Sequence, residues 1–127
     1  MNILLKNIRV ISPAQNIDEH LNIYVCEGII KYIGKELNES LPDIEFIDGT
    51  DLVCCPGFFD MHVHLREPGQ EYKETIQTGT LAAANGGFTG VVCMPNTSPA
   101  VDSVAIIEYI TSRAKGNIVD VFPCATI

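Results

Sequence analysis

The chain has 127 residues, 46% of them hydrophobic, with a net charge of −8. That is enough length for one soluble domain, and no apolar run reaches the roughly twenty residues that cross a bilayer. Its eight basic residues are scattered among sixteen acidic ones, which argues against a nucleic-acid surface and against attraction to anionic lipid, and the Met1–Lys6 start has no signal-peptide character.

The first fifty or so residues read as β structure. Ile3 to Ile11 is apolar with Lys6, Asn7 and Arg9 interleaved. Leu21 to Cys26 and Ile29 to Ile33 flank Glu27-Gly28, a two-residue hairpin turn. Residues 34–43 read as a loop, and Ile44 to Ile47 leads into the turn Asp48-Gly49-Thr50-Asp51. This predicts a small antiparallel sheet or part of a sandwich over residues 1–52.

From residue 53 the pattern changes. Leu52 to Phe59 is a continuous apolar run, as in a strand covered on both faces. A polar loop follows, Arg66 to Gln70. Glu71 to Asn85 predicts a helix with Tyr72, Ile76, Thr80 and Ala83/Ala84 on one face, stopped by Gly86-Gly87. Phe88 to Met94 predicts a second buried strand. Asp102 or Ser103 is placed to cap a second helix, in which Ile106, Ile107, Ile110 and Ala114 form the apolar face and Gly116 the end. Ile118 to Ile127 predicts a third strand.

Strand, helix, strand, helix, strand implies parallel pairing through crossovers, and such sheets carry their chemistry at the C-terminal strand ends. A closed eight-stranded barrel needs roughly 200–250 residues, far more than residues 53–127 supply. The expectation is therefore an open three-stranded sheet or the start of something larger, and the apolar ending at Ile127 favours the second.

The richest segment is Asp60-Met61-His62-Val63-His64-Leu65-Arg66-Glu67. On a strand, His62 and His64 share a face. They are either two ligands of one metal ion or two structural histidines. Zinc accepts imidazole nitrogen, but a catalytic site needs about three protein ligands, so the pair alone is not sufficient. Arg66 either clamps a carboxylate through its guanidinium fork or forms a surface pair with Glu67. Asn96, just past the second strand, either hydrogen-bonds a substrate or serves the turn after Pro95. Asp60, on the same alternation as the histidines, is either an orienting partner for one of them or a buried strand-end carboxylate. His20 sits in a polar stretch and reads as solvated. The cysteines at 26, 54, 55, 93 and 124 are odd in number and form no C-x-x-C pair. They read as buried free thiols of a reducing compartment rather than a disulfide framework.

Asp60 to Gln70, with Gly79-Thr80-Leu81-Ala82-Ala83-Ala84, Gly86-Gly87-Phe88-Thr89 and Met94-Pro95-Asn96-Thr97, closely resembles the start of type I dihydroorotases, in the metal-dependent amidohydrolase superfamily. The resemblance runs over the whole chain and covers about the first third of such an enzyme. One small departure is Gly90, where a second threonine is common. The resemblance implies an α/β fold: the start of a (β/α)8 TIM-type barrel (residues 53–127) preceded by a small N-terminal β-sandwich part (residues 1–52). It implies a cytoplasmic enzyme of pyrimidine biosynthesis that interconverts N-carbamoyl-L-aspartate and dihydroorotate. His62 and His64 would hold Zn2+, which polarises the amide carbonyl and activates a water. Arg66 and Asn96 would bind the substrate carboxylate. The bridging metal ligand, further histidines and the general base are expected beyond Ile127. No catalytic base therefore lies within these residues, and the chain alone is expected to be inactive and to bind metal weakly.

The resemblance also allows a homo-oligomer or association with aspartate transcarbamoylase, with neither nucleic acid nor membrane as partner. Two alternatives stand beside it. One is a hydantoinase or allantoinase, whose members usually lack the arginine and the M-P-N-T run. The other is a non-catalytic dihydroorotase-like assembly subunit, against which the intact His62 and His64 count.

Overall fold

The computed structural model describes residues 1–37 and 43–127, which form two compact units, Met1–Pro56 and Gly57–Ile127. The first is a five-stranded sheet. Strands β1 (Asn2–Ser12) and β2 (Ile17–Cys26) are joined through a 3-10 turn at Pro13–Gln15. They are followed by β3 (Ile29–Gly34), β4 (Ile44–Asp48) and the short β5 (Val53–Cys54). Glu27 and Gly28 both take positive φ, 50° and 74°, the twist that a two-residue hairpin between β2 and β3 requires.

This sheet differs from the antiparallel expectation. β2 pairs antiparallel with β1 and β3, but β4 and β5 both run parallel to β1. Val53 and Cys54, which the sequence pattern assigns to the second part, pair with Arg9 and Val10 of β1. Ile8, Val10, Leu21 and Ile23 form the core of this unit. In the loop expected over residues 34–43, Gly34 instead ends β3, while Asn38, Glu39, Ser40 and Pro42 lie outside the described residues.

The second unit runs strand, helix, strand, helix, strand, as the pattern predicts: β6 (Phe58–Val63), α1 (Ile76–Asn85), β7 (Phe88–Cys93), α2 (Val104–Ala114) and β8 (Asp120–Pro123). The sheet is parallel in the order β6-β7-β8. Leu65, Ile76, Val91, Cys93, Val101, Ile110 and Val119 are buried together, with Ile106, Ile107 and Ala114 of α2 packed on them. The predicted apolar face of the second helix is thus its packing face.

Three boundaries depart from the sequence reading, two of them for a local reason. The run Leu52 to Phe59 is two strands in two different sheets, divided at Pro56-Gly57. Proline has no N–H to give a ladder. Within these residues Phe58 and Phe59 are about half exposed.

The first helix starts at Ile76 rather than Glu71, because Thr75 caps it. The Thr75 hydroxyl accepts from the Thr78 N–H, and the Thr78 hydroxyl accepts from the Thr75 N–H, a reciprocal capping box. Tyr72, assigned to the apolar helix face, therefore precedes the helix and is 82% exposed. The third strand is only Asp120–Pro123. Ser103 occupies the N-cap of α2 but makes no side-chain capping bond. At Gly90 an added Cβ would lie 2.6 Å from the ring of Phe59, so a side chain there would require that ring to shift.

The loops after β6 and β7 are tied together. Ser98 N–H donates to the Pro68 carbonyl at 3.1 Å. Gly69 has φ +92°, and an added Cβ would lie 1.9 Å from the Ser98 carbonyl oxygen. Only glycine meets both conditions, since the obstacle is backbone. Gly69→Ala is expected to lower unfolding free energy by about 1–3 kcal/mol, measured by urea denaturation.

Candidate active site

The site begins with an irregularity in β6. Asp60 pairs with Val91 and Val63 with Cys93, so three steps on β6 match two on β7. This is a β-bulge over Met61 and His62, and a bulge resets the alternation of side chains. Val91 and Cys93 belong to the core beneath the helices, and their partners Asp60 and Val63 point the same way. Asp60, Val63 and Leu65 line, with Gly79 and Ala83 of α1, a cavity of about 200 Å3.

His62 and His64 alternate with Val63 and Leu65 and so face away from that core. Asp60 is thus not on the histidine face, contrary to the sequence reading. Its carboxylate accepts from the His62 main-chain N–H at 3.0 Å and holds the bulge rather than an imidazole.

The two imidazoles lie side by side, with ring centroids 5.2 Å apart and planes at 67°. His64 Nδ1 is 2.9 Å from Asn96 Oδ1. An amide oxygen only accepts, so this contact suits the tautomer with its proton on Nδ1, the form in which Nε2 is the ligating nitrogen. The Asn96 amide nitrogen is left to donate elsewhere. The structure thus joins His62, His64 and Asn96, from the ends of β6 and β7, at one edge of the sheet. Among the described residues, no group of three or more His, Cys, Asp or Glu side chains is placed to hold a metal. The pair therefore fits a zinc ion as two of its ligands and no more.

Arg66 follows two residues on, half-buried and with its backbone at φ 61°. Its carbonyl accepts from the Gln70 N–H at 3.0 Å, closing the loop. The surface Arg66–Glu67 pair weighed from the sequence does not exist. Glu67 is 2% exposed, and its partners are elsewhere. Its Oε2 accepts from the Ile76 N–H at 2.8 Å. Its Oε1 accepts from the Tyr109 hydroxyl at 3.0 Å and from Arg113 Nε at 2.8 Å.

Sequence reasoning missed this residue. The one local signal was an acidic side chain ahead of a helix start, where the unpaired N–H groups favour negative charge. The link to Arg113 spans 46 residues and has no local signature.

His20 is exposed on β2, its Nδ1 3.2 Å from the Asn7 carbonyl. All five cysteines are free thiols, but only Cys93 is fully buried and Cys55 is exposed, so the expectation of five buried thiols is corrected. Burial pushes the Cys93 and Cys54 thiols up. Among the described residues no helix is long and apolar enough to cross a membrane.

Solved structures with this architecture include a D-hydantoinase (dihydropyrimidinase) from Thermus sp. It is 30% identical with a TM-score of 0.77, over 98% of this chain and 27% of its own. The dihydropyrimidinase of Brevibacillus agri is 27% identical with a TM-score of 0.79, over 100% of this chain and 27% of its own. These neighbours are described as a hydantoinase and a dihydropyrimidinase, and the curated relatives below as dihydroorotases. Residues 51–127 match the family described as Dihydro-orotase-like, and the chain belongs to that family.

The dihydroorotase of Geotalea daltonii is 55% identical over 128 residues, covering 100% of this chain and 30% of the relative. That of Aquifex aeolicus is 45% identical with the same coverage. The chain spans about 30% of the length of these curated relatives and corresponds to an N-terminal dihydroorotase portion.

Burial pushes the Glu67 carboxyl up, but the Ile76 N–H, Arg113 and Tyr109 together outweigh it and hold the group below the ordinary carboxylate range. A depressed folded-state pKa gives stability that is complete above the unfolded value, about 4.3. That stability is lost as pH falls through the lower folded value. Thermal midpoints measured from about pH 6 down to about pH 3 are expected to fall more steeply for the native protein than for Glu67→Gln, which has no proton to take up there.

Proposed function

We propose that these residues are the N-terminal part of a zinc-dependent dihydroorotase, a cytoplasmic enzyme of pyrimidine biosynthesis that interconverts N-carbamoyl-L-aspartate and dihydroorotate. In this reading residues 57–127 begin a (β/α)8 barrel, and the sheet of the first unit is the start of a β-sandwich. The observation that carries it is the His64–Asn96 contact, which brings the metal-binding and carboxylate-binding candidates to one place in a chain of the dihydro-orotase-like family.

His62 and His64 would hold the ion through ring nitrogens, His64 through Nε2, since its Nδ1 faces Asn96. Zinc supplies a Lewis acid that polarises the amide carbonyl. Asn96 has an acceptor and donors in one amide. While Oδ1 keeps the His64 ring turned, the NH2 can meet a carboxylate oxygen of the substrate. Arg66 supplies a planar, permanently charged fork for the same carboxylate. Both act by positioning the ring so that its reacting carbonyl lies at the metal. The remaining metal ligands and the general base would come from later strands.

A second reading is a hydantoinase-type hydrolase of a neutral ring, favoured by the solved structures. Arg66 separates the two, because a neutral ring offers it no carboxylate. In the complete metal-loaded protein, Arg66→Met is expected to lower kcat/KM for dihydroorotate about 100-fold or more, the scale of a lost charged bidentate contact. An unchanged value, with turnover of a neutral hydantoin, would establish the second reading. The site within these 127 residues offers two imidazoles, so the isolated chain is expected to show no dihydroorotate turnover and weak zinc binding in chelator competition. Measurable turnover by it would overturn the placement of the base and remaining ligands beyond Ile127.

A further inference from the structure

The motif that carries Arg66 continues as Glu67-Pro68-Gly69-Gln70, and the proposed chemistry gives Glu67 nothing to do. Its surroundings do. Arg66 adopts φ 61°, in the left-handed region that a long side chain enters at some cost. The residues on either side of it are both fixed. Leu65 is buried in the core beneath the helices. Glu67 is buried as well, its carboxylate held by donors from two separate elements, Ile76 at the start of α1 and Tyr109 and Arg113 on α2. The Glu67 N–H donates to the Leu65 carbonyl at 2.8 Å across Arg66, so the three residues make one tight bend.

We propose that Glu67 is the positioning residue for Arg66. By fixing the following residue to both helices, it sets the backbone from which the guanidinium reaches the substrate carboxylate. Glu67 itself touches no substrate. The inference rests on the reading that Arg66 binds that carboxylate.

The geometry gives the clamp a graded set of parts. Removing the Tyr109 hydroxyl leaves two donors on Glu67. Replacing Glu67 by Gln keeps the size but removes the charge that Arg113 pairs with, and the amide nitrogen cannot accept from either side. The bend then loses one anchor, and Arg66 is free to leave the strained conformation.

The test is a double-mutant cycle in the complete metal-loaded protein, with steady-state kinetics on the carboxylate-bearing cyclic substrate. Glu67→Gln is expected to raise KM about tenfold with kcat changed less than threefold, and Tyr109→Phe to raise KM by a smaller factor in the same sense. In a protein already carrying Arg66→Met, neither substitution is expected to change KM further, because the group they position is gone. A purely structural carboxylate would instead give the same factor in both backgrounds, and that additivity would overturn the proposal. If Glu67→Gln does not yield folded protein, Tyr109→Phe decides on the same criterion, as Tyr109 is partly exposed and its ring stays in place. Arg66→Met without effect on KM would sink the reading beneath the proposal together with it. Arg66→Met with a large effect and additive partners sinks the proposal alone.

Discussion

A buried carboxylate is costly unless its oxygens are occupied. In the second unit Glu67 meets that condition by taking donors from both helices. The requirement acts on everything around it. One oxygen receives the first N–H of α1, a group the helix cannot satisfy internally, and the other receives Tyr109 and Arg113 of α2. Arg113 reaches out to solvent while its partner is enclosed, so the pair is shielded on the carboxylate side, where a loss would be felt most. The loop after β6 is thereby attached to both helices at once. Through Pro68 and Gly69 it is also attached to the loop after β7.

That attachment explains how a site made of short segments acquires definition. His62 and His64 belong to the end of β6, Asn96 to the loop after β7, and Arg66 to the loop that Glu67 secures. None of these is held by a long regular element. The bulge at Met61 and His62 turns Asp60 into the helix side, where it supports the strand through the His62 N–H. The histidines are left on the opposite face, beside Asn96. A bulge next to a functional edge re-aims side chains that strict alternation would have placed elsewhere.

Much of this was legible in the residues. The histidine pair was visible because two imidazoles at a strand end are unusual chemistry, whereas Arg66 and Asn96 were singled out only by the family resemblance. The placement of the histidines and Asn96 at one edge followed from the parallel order of strands and helices. The apolar face of α2 was legible from its 3.6-residue period. The illegible parts have a common cause. The start of α1 depended on a hydroxyl exchange between Thr75 and Thr78. The side of Asp60 depended on one extra residue in a strand. The burial of Glu67 depended on partners in a helix far along the chain.

Local chemistry was thus the part that sequence alone determined. It supplied the candidate ligands, the candidate anion-binding groups, the succession of strands and helices, and the turn residues whose φ only glycine or a hairpin permits. Tertiary structure decided which polar groups lose their water. Glu67 reads as a surface charge until α2 packs over it. Val53 and Cys54 read as the opening of a strand in the second part until β1 takes them as partners. Both outcomes arise because the free energy of a polar or unpaired group is set by what occupies the space beside it. That occupant comes from a distant part of the chain, which only the folded arrangement brings near.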